Sequence, residues 1–197
     1  AQLGRKRPYT VPKGFLKVRL DGRVSSFFEW VAAGHYRASR DTPVMHRASG
    51  GIVRDVYFGF DEENFFLRLD FEEGALERFS AHDHLVLVFL HPVEARLQVA
   101  GPLRPTMGLE VLRDGTRLGR TADRGETAPG AVAEAVAAVE ILELRCPFRE
   151  LGLSPGESAE FLVEIERDGQ VTERLPDHFP FAFTTPTRDF ERIYWQV

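Results

Sequence analysis

Residues 53–71 read VRDVYFGFDEENFFLRLDF. In the second half of this stretch Phe65, Leu67, Leu69 and Phe71 fall on one side of an extended chain, and Phe66, Arg68 and Asp70 fall on the other. A period of two is the mark of an antiparallel strand with one face on a core. The acidic run Asp61-Glu62-Glu63-Asn64 between the two apolar segments reads as a hairpin turn with solvated charges. A chain that opens this way is committed to sheet, because the same pattern on a helix would scatter its apolar residues around the axis.

The rest of the chain repeats the theme. Residues 15–20 alternate apolar and basic side chains and predict a half-buried strand. Residues 25–33 predict a short helix capped by Ser25 or Ser26, with Glu29 in its early turns. Residues 34–51, rich in His, Arg and Ser, read as a loop. Residues 84–90 are apolar on both faces and predict a central strand. Ala95–Ala100 and 109–113 are further strands, and Asp114-Gly115 signals a turn. Residues 114–134 read as a long connection. Residues 136–145 alternate again until Pro147. FRELGLSPGE reads as a helical turn closed by Pro155-Gly156. Residues 160–167, Asp168-Gly169 and Gln170–Leu175 form the clearest hairpin signal. A last strand contains Phe179, Phe181 and Phe183. Roughly nine or ten strands at short spacing, without helix-length segments between them, predict an all-β antiparallel sandwich with short helices.

Composition narrows the function classes. Sixteen Phe among 197 residues suggest a core filled with rings. The lone Cys146 excludes an internal disulfide and reads as a buried thiol. A net charge of −5 argues against nucleic acid as a partner. No run reaches the ~18 apolar residues of a membrane helix, so no membrane partner is expected. Without disulfides, the expected compartment is cytoplasmic. Residues 1–13 read as a linker or flexible tail before a domain at 14–197. The start at Ala1 suggests a piece of a longer polypeptide.

Leu20-Asp21-Gly22, then Glu29-Trp30, resembles the opening of family 9 carbohydrate-binding modules and their DOMON-like relatives. The fuller resemblance is to the C-terminal accessory region of some family 57 glycoside hydrolases, which act on α-glucans. It rests on DGRVSSFFEW, Met45-His46-Arg47-Ala48, YFGFD, LRLDF, LELRCPFRELGLSPGE, Glu173-Arg174-Leu175-Pro176, and Phe190-Glu191 before Trp195. The resemblance implies a non-catalytic module that binds an oligosaccharide or polysaccharide beside an N-terminal catalytic domain of the same polypeptide. A docking or dimerisation domain without a sugar site is the alternative.

Sugar binding needs flat apolar surfaces beside hydrogen-bonding groups. Trp30, His35, Tyr36, Arg37 and His46 supply both and are the candidate ligand-binding residues. The plain alternative is that the rings cap the core and the histidines brace a loop. Tyr194 and Trp195 form a second aromatic pair. Asp21 is a candidate ligand for a structural Ca²⁺, since relatives of the sandwich carry one; no other cofactor is expected. The acidic turn at 61–64 lacks EF-hand spacing. His82-Asp83-His84 would set two imidazoles on one strand face, with no third ligand at a usual spacing. No nucleophile elbow, metalloprotease motif or phosphate loop occurs, and no catalytic residue is assigned.

Overall fold

The computed structural model describes residues 7–38, 51–113, 116–119 and 132–190. Among the described residues twelve strands follow one another: β1 (Gly34–Arg37), β2 (Val53–Phe60), β3 (Asn64–Phe71), β4 (Asp83–His91), β5 (Ala95–Ala100), β6 (Met107–Arg113), β7 (Thr116–Gly119), β8 (Val132–Ala138), β9 (Leu142–Pro147), β10 (Ser158–Arg167), β11 (Gln170–Leu175) and β12 (Phe181–Thr184). A single helical turn, α1 (Phe148–Leu151), separates β9 from β10. Among the described residues every ladder is antiparallel. The sheet order is β1-β2-β3-β9-β8-β6-β5-β4-β10-β11, with β12 beside β10 and β7 beside β6.

This sheet curls into a half-barrel. Strand β6 turns the corner: Met107 and Leu109 pair with β8, whereas Glu110 to Arg113 pair with β5 and β7 lies along the same end. Register shifts interrupt β6 between Met107 and Leu109 and between Val111 and Leu112. Such bulges bend a strand and raise its local twist. The curl brings together strands that are far apart in the sheet. β9, β8, β6 and β5 lie between β3 and β4, yet the Phe65 and Phe89 rings meet at 5.5 Å. Phe58 of β2 meets Phe161 of β10 at 5.4 Å, and Phe65 meets Phe183 of β12 at 5.3 Å. Phe58, Phe65, Phe161 and Phe181 are wholly buried. Each such ring contributes about 1.5–3 kcal/mol of burial, which is the main force closing the curl.

The hairpin signals are realised closely. Asp168 and Gly169 both hold positive φ, 50° and 77°, the condition for a two-residue turn that matches strand twist. At the β2–β3 turn, Asp61 Oδ1 accepts hydrogen bonds from the Glu63 and Asn64 backbone N–H groups at 2.8 and 2.7 Å. Cys146 is buried and unpaired, as expected.

Four expectations are corrected. Residues 15–20 are extended and alternate in burial but join no ladder; only the Leu16 N–H bonds to the sheet backbone, on Phe60 O at 2.9 Å. Residues 34–37 form β1, because Tyr36 needs an inward-facing position and the backbone pairs with β2. Residues 136–145 are not one strand: Val139 to Ile141 turn the chain, and β8 and β9 pair with each other. The helix foreseen at 25–33 is one 3-10 turn, Phe27–Glu29, capped by Ser26 Oγ accepting from Phe28 N–H. The tail reading of residues 1–13 also meets a limit. Tyr9 is buried between Phe58 and Phe181, its hydroxyl donates to Pro180 O at 2.9 Å, and Thr10 exchanges backbone bonds with His35.

Candidate functional site

The outer face of β1, β2, β3 and β9 is where the polar half of each alternating strand points, and a long N-terminal segment lies across it. Leu16, Trp30 and Phe66 form a small second core there, with Val18, Leu20 and Tyr57 packed against it. Beside it runs a chain of charges. Arg68 grips Asp70 with two hydrogen bonds, at 2.6 and 2.9 Å. Arg54 bonds to Asp55 at 3.0 Å and to Asp70 at 3.4 Å. His35 Nε2 lies 2.8 Å from Asp55 Oδ1. The His35 ring stacks on Tyr57 at 4.5 Å, and the Arg68 guanidinium sits 4.8 Å from the centre of that same ring. Burial raises the Asp55 pKa, but the bonds from His35 and Arg54 outweigh it, so Asp55 titrates below the ordinary carboxylate range.

Glu143 of β9 holds the segment down. It is wholly buried. Its Oε2 accepts the Asp21 and Gly22 N–H groups at 3.1 and 3.0 Å, and its Oε1 accepts Trp30 Nε1–H at 3.0 Å. Gly22 O in turn accepts the N–H groups of Glu140 and Ile141 at 2.8 and 3.0 Å. Gly22 stands at φ +69°, and a Cβ there would come within 2.7 Å of Val139 N. The Asp-Gly…Trp pattern is therefore a docking device: glycine permits the backbone approach, and the indole N–H completes the carboxylate's partners.

Between these two anchors the chain arches away from the sheet. Asp21 accepts from the Arg23 N–H and the Ser25 hydroxyl, which stiffens the base of the arch. At its crest Phe27 and Phe28 are 77% and 80% exposed. Their rings meet edge to face, 5.9 Å apart at 79°. Val24 and Val31 flank them, also exposed. These two rings are the most exposed large hydrophobic side chains among the described residues, and exposed apolar patches mark interaction surfaces.

Trp30 and His35 both touch the Tyr57 ring, but the described candidates do not converge on one open surface. Trp30 is 6% exposed and bound to Glu143, and Tyr36 is 1% exposed and packs on Phe181 inside the main core. Both ring faces are closed to a stacking sugar, because each aromatic was worth more as buried surface. His35 and Arg37 lie on the opposite side of β1 from Tyr36; His35 is tied to Asp55 and Arg37 is exposed. His46, Tyr194 and Trp195 lie outside the described residues. Asp21 spends its carboxylate on Arg23 and Ser25. His82 bonds to Asp168 at 2.8 Å, whereas Asp83 turns to Arg167, so the His82-Asp83-His84 run is divided. Among the described residues no group of three or more His, Cys, Asp or Glu side chains is placed to hold a metal ion. No described helix is long and apolar enough to cross a membrane.

Sequence reasoning missed Phe27, Phe28 and Glu143. Nothing local distinguishes Phe27 and Phe28 from Trp30 two residues later. Glu143 sits in an alternating strand at a polar position, where a solvated carboxylate is the default expectation.

The chain matches no protein-family model, no curated protein and no solved structure.

Proposed function

We propose that the protein is a non-catalytic α-glucan-binding or accessory module of a glycoside hydrolase, built on a β-sandwich of the carbohydrate-binding-module kind. The curled sheet supports the sandwich reading, since phenylalanines of β2 and β3 meet those of β4, β10 and β12 across one core. The observation that carries the function is the exposed Phe27–Phe28 pair. Free aromatic faces bind the C–H surface of a sugar ring, and neighbouring polar groups bind its hydroxyls. Arg23, Ser25 and Glu29 lie within five residues of both rings. Held beside a catalytic domain, such a module raises the effective concentration of polymer. Calorimetric titration with maltooligosaccharides tests this. Binding is expected for the unaltered chain and is lost in Phe27→Ala/Phe28→Ala; no heat at millimolar sugar defeats the proposal.

The edge-to-face geometry favours a second reading. Rings at 79° do not form one flat platform; they present a wedge, which suits a pocket on a protein. In that reading the arch docks on the catalytic domain of the same polypeptide. Sedimentation of the chain with and without that domain separates the two, since only docking yields a complex that the double Phe variant abolishes.

A further inference from the structure

The extended segment at residues 15–20 leaves an open cleft of about 460 Å³ between itself, β8 and β9. That volume falls in the range of small-molecule sites, about 300–1,000 Å³. Its apolar lining includes Val18 and Val136; its polar lining is Arg19, Arg145, Glu134 and Thr106. The two arginines reach it from different elements, one from the segment and one from β9.

Arg145 differs from the arginines of the neighbouring strands, where Arg68 is matched to Asp70 and Arg54 to Asp55 and Asp70. Among the described residues Arg145 is half-buried and makes no ion pair or side-chain hydrogen bond. Among the described residues the Arg19 guanidinium has no ion-pair partner either; its backbone N–H is engaged by Glu29. A second cleft of about 380 Å³ shares Val18 and Arg145 and adds Lys17. The carboxylate of Asp61 borders that second cleft but is occupied by the turn it closes.

Glu134 gives the cleft its second character. It holds φ 50°, a conformation that a side chain of its size rarely adopts. It sits where β8 loses register with β6. Backbone strain of this kind persists where surrounding structure imposes it and clusters at binding sites. Two guanidiniums favour an oxyanion, which they can bind bidentately. Glu134 and Thr106 then offer an acceptor and a hydroxyl for donors on the same ligand, and Val18 and Val136 offer a surface for its carbon skeleton.

We infer that this cleft binds a small hydroxylated anion, a sugar acid or a sugar phosphate, with Arg19 and Arg145 on the anionic group and Glu134 and Thr106 on its hydroxyls. The site is separate from the Phe27–Phe28 arch and does not depend on glucan binding there.

Calorimetry and amide NMR shifts on the whole chain test it, with glucuronate, glucose 6-phosphate, glucose and inorganic phosphate as probes. Glucuronate binding identifies a carboxylate as the anion, and glucose 6-phosphate binding identifies a phosphate ester. Either is expected to bind and to shift amides of β8 and β9, with glucose and inorganic phosphate each weaker. Arg145→Met, which keeps the apolar stem, and Arg19→Ala, on an exposed segment, each weaken binding about tenfold or more. Phe27→Ala/Phe28→Ala leaves it unchanged. Absence of binding by both sugar anions up to about 10 mM overturns the inference, and so does binding that survives both arginine substitutions. Inorganic phosphate binding as tightly as glucose 6-phosphate overturns the roles of Glu134 and Thr106.

Discussion

Replacing Glu143 tests whether one buried carboxylate holds the arch to the sheet. In Glu143→Ala three N–H donors lose their acceptor: those of Asp21, Gly22 and the Trp30 indole. An orphaned buried donor costs about 1–3 kcal/mol. The three do not add in full, and the variant no longer buries a charge, so the net loss is about 3 kcal/mol. Glu143→Gln is milder, at about 1 kcal/mol. Its carbonyl can serve Asp21 and Gly22, but its NH₂ then faces the Trp30 N–H, donor against donor. The pH dependence carries the finer test. Burial raises the Glu143 pKa, and the bonds from Gly22, Asp21 and Trp30 only partly offset this, so the folded state holds the proton more tightly than the unfolded chain. A raised folded pKa gives a stability contribution that is full below the unfolded value and is lost as pH rises through the folded one. The advantage of the unaltered chain over Glu143→Gln therefore shrinks from about pH 4 upward. Urea denaturation at a series of pH values measures it. An Ala variant within about 0.5 kcal/mol of the parent, as for an ordinary surface change, refutes the anchoring role; an advantage that grows with pH refutes the electrostatic account.

Other substitutions probe the remaining elements. Phe27→Ala and Phe28→Ala leave stability within about 0.5 kcal/mol, because both rings are already in water; a larger loss by thermal denaturation would place them in the core. Gly22→Ala destabilises by more than 1 kcal/mol or so, since its φ of +69° and the nearby Val139 N leave no room for a Cβ; chemical denaturation reads it, and a neutral outcome would dismiss the close approach. Asp83, bonded by Arg167 and Ser80, has its pKa lowered to about 2. Its contribution is present above the unfolded value and lost as pH falls toward about 2, amounting to at most about 2 kcal/mol because solvent screens Arg167; an Asp83→Asn variant with an unchanged acid-unfolding profile contradicts this. Burial pushes the Cys146 thiol far above its ordinary pKa, so it resists a thiol reagent until the chain is unfolded, and reaction at the native rate of a free thiol would contradict its burial.

The chain's own pattern determined the hairpins and the all-β antiparallel character. The bounds of β2, β3, β5 and β11 follow from alternation and from Asp168-Gly169, because a period of two and a two-residue turn are local properties. The ion pair of Arg68 and Asp70, two residues apart on one strand face, was legible for the same reason. What the tertiary structure alone decided is which polar and aromatic groups stay in water. Residues 15–20 alternate like a strand yet find no ladder, because the sheet edge is already taken by β1. Trp30 turns inward while Phe27 and Phe28 turn outward because Glu143, 113 positions further along, offers the indole a partner. Burial and hydrogen bonding across such separations are set by the curl of the sheet, and no local periodicity encodes them.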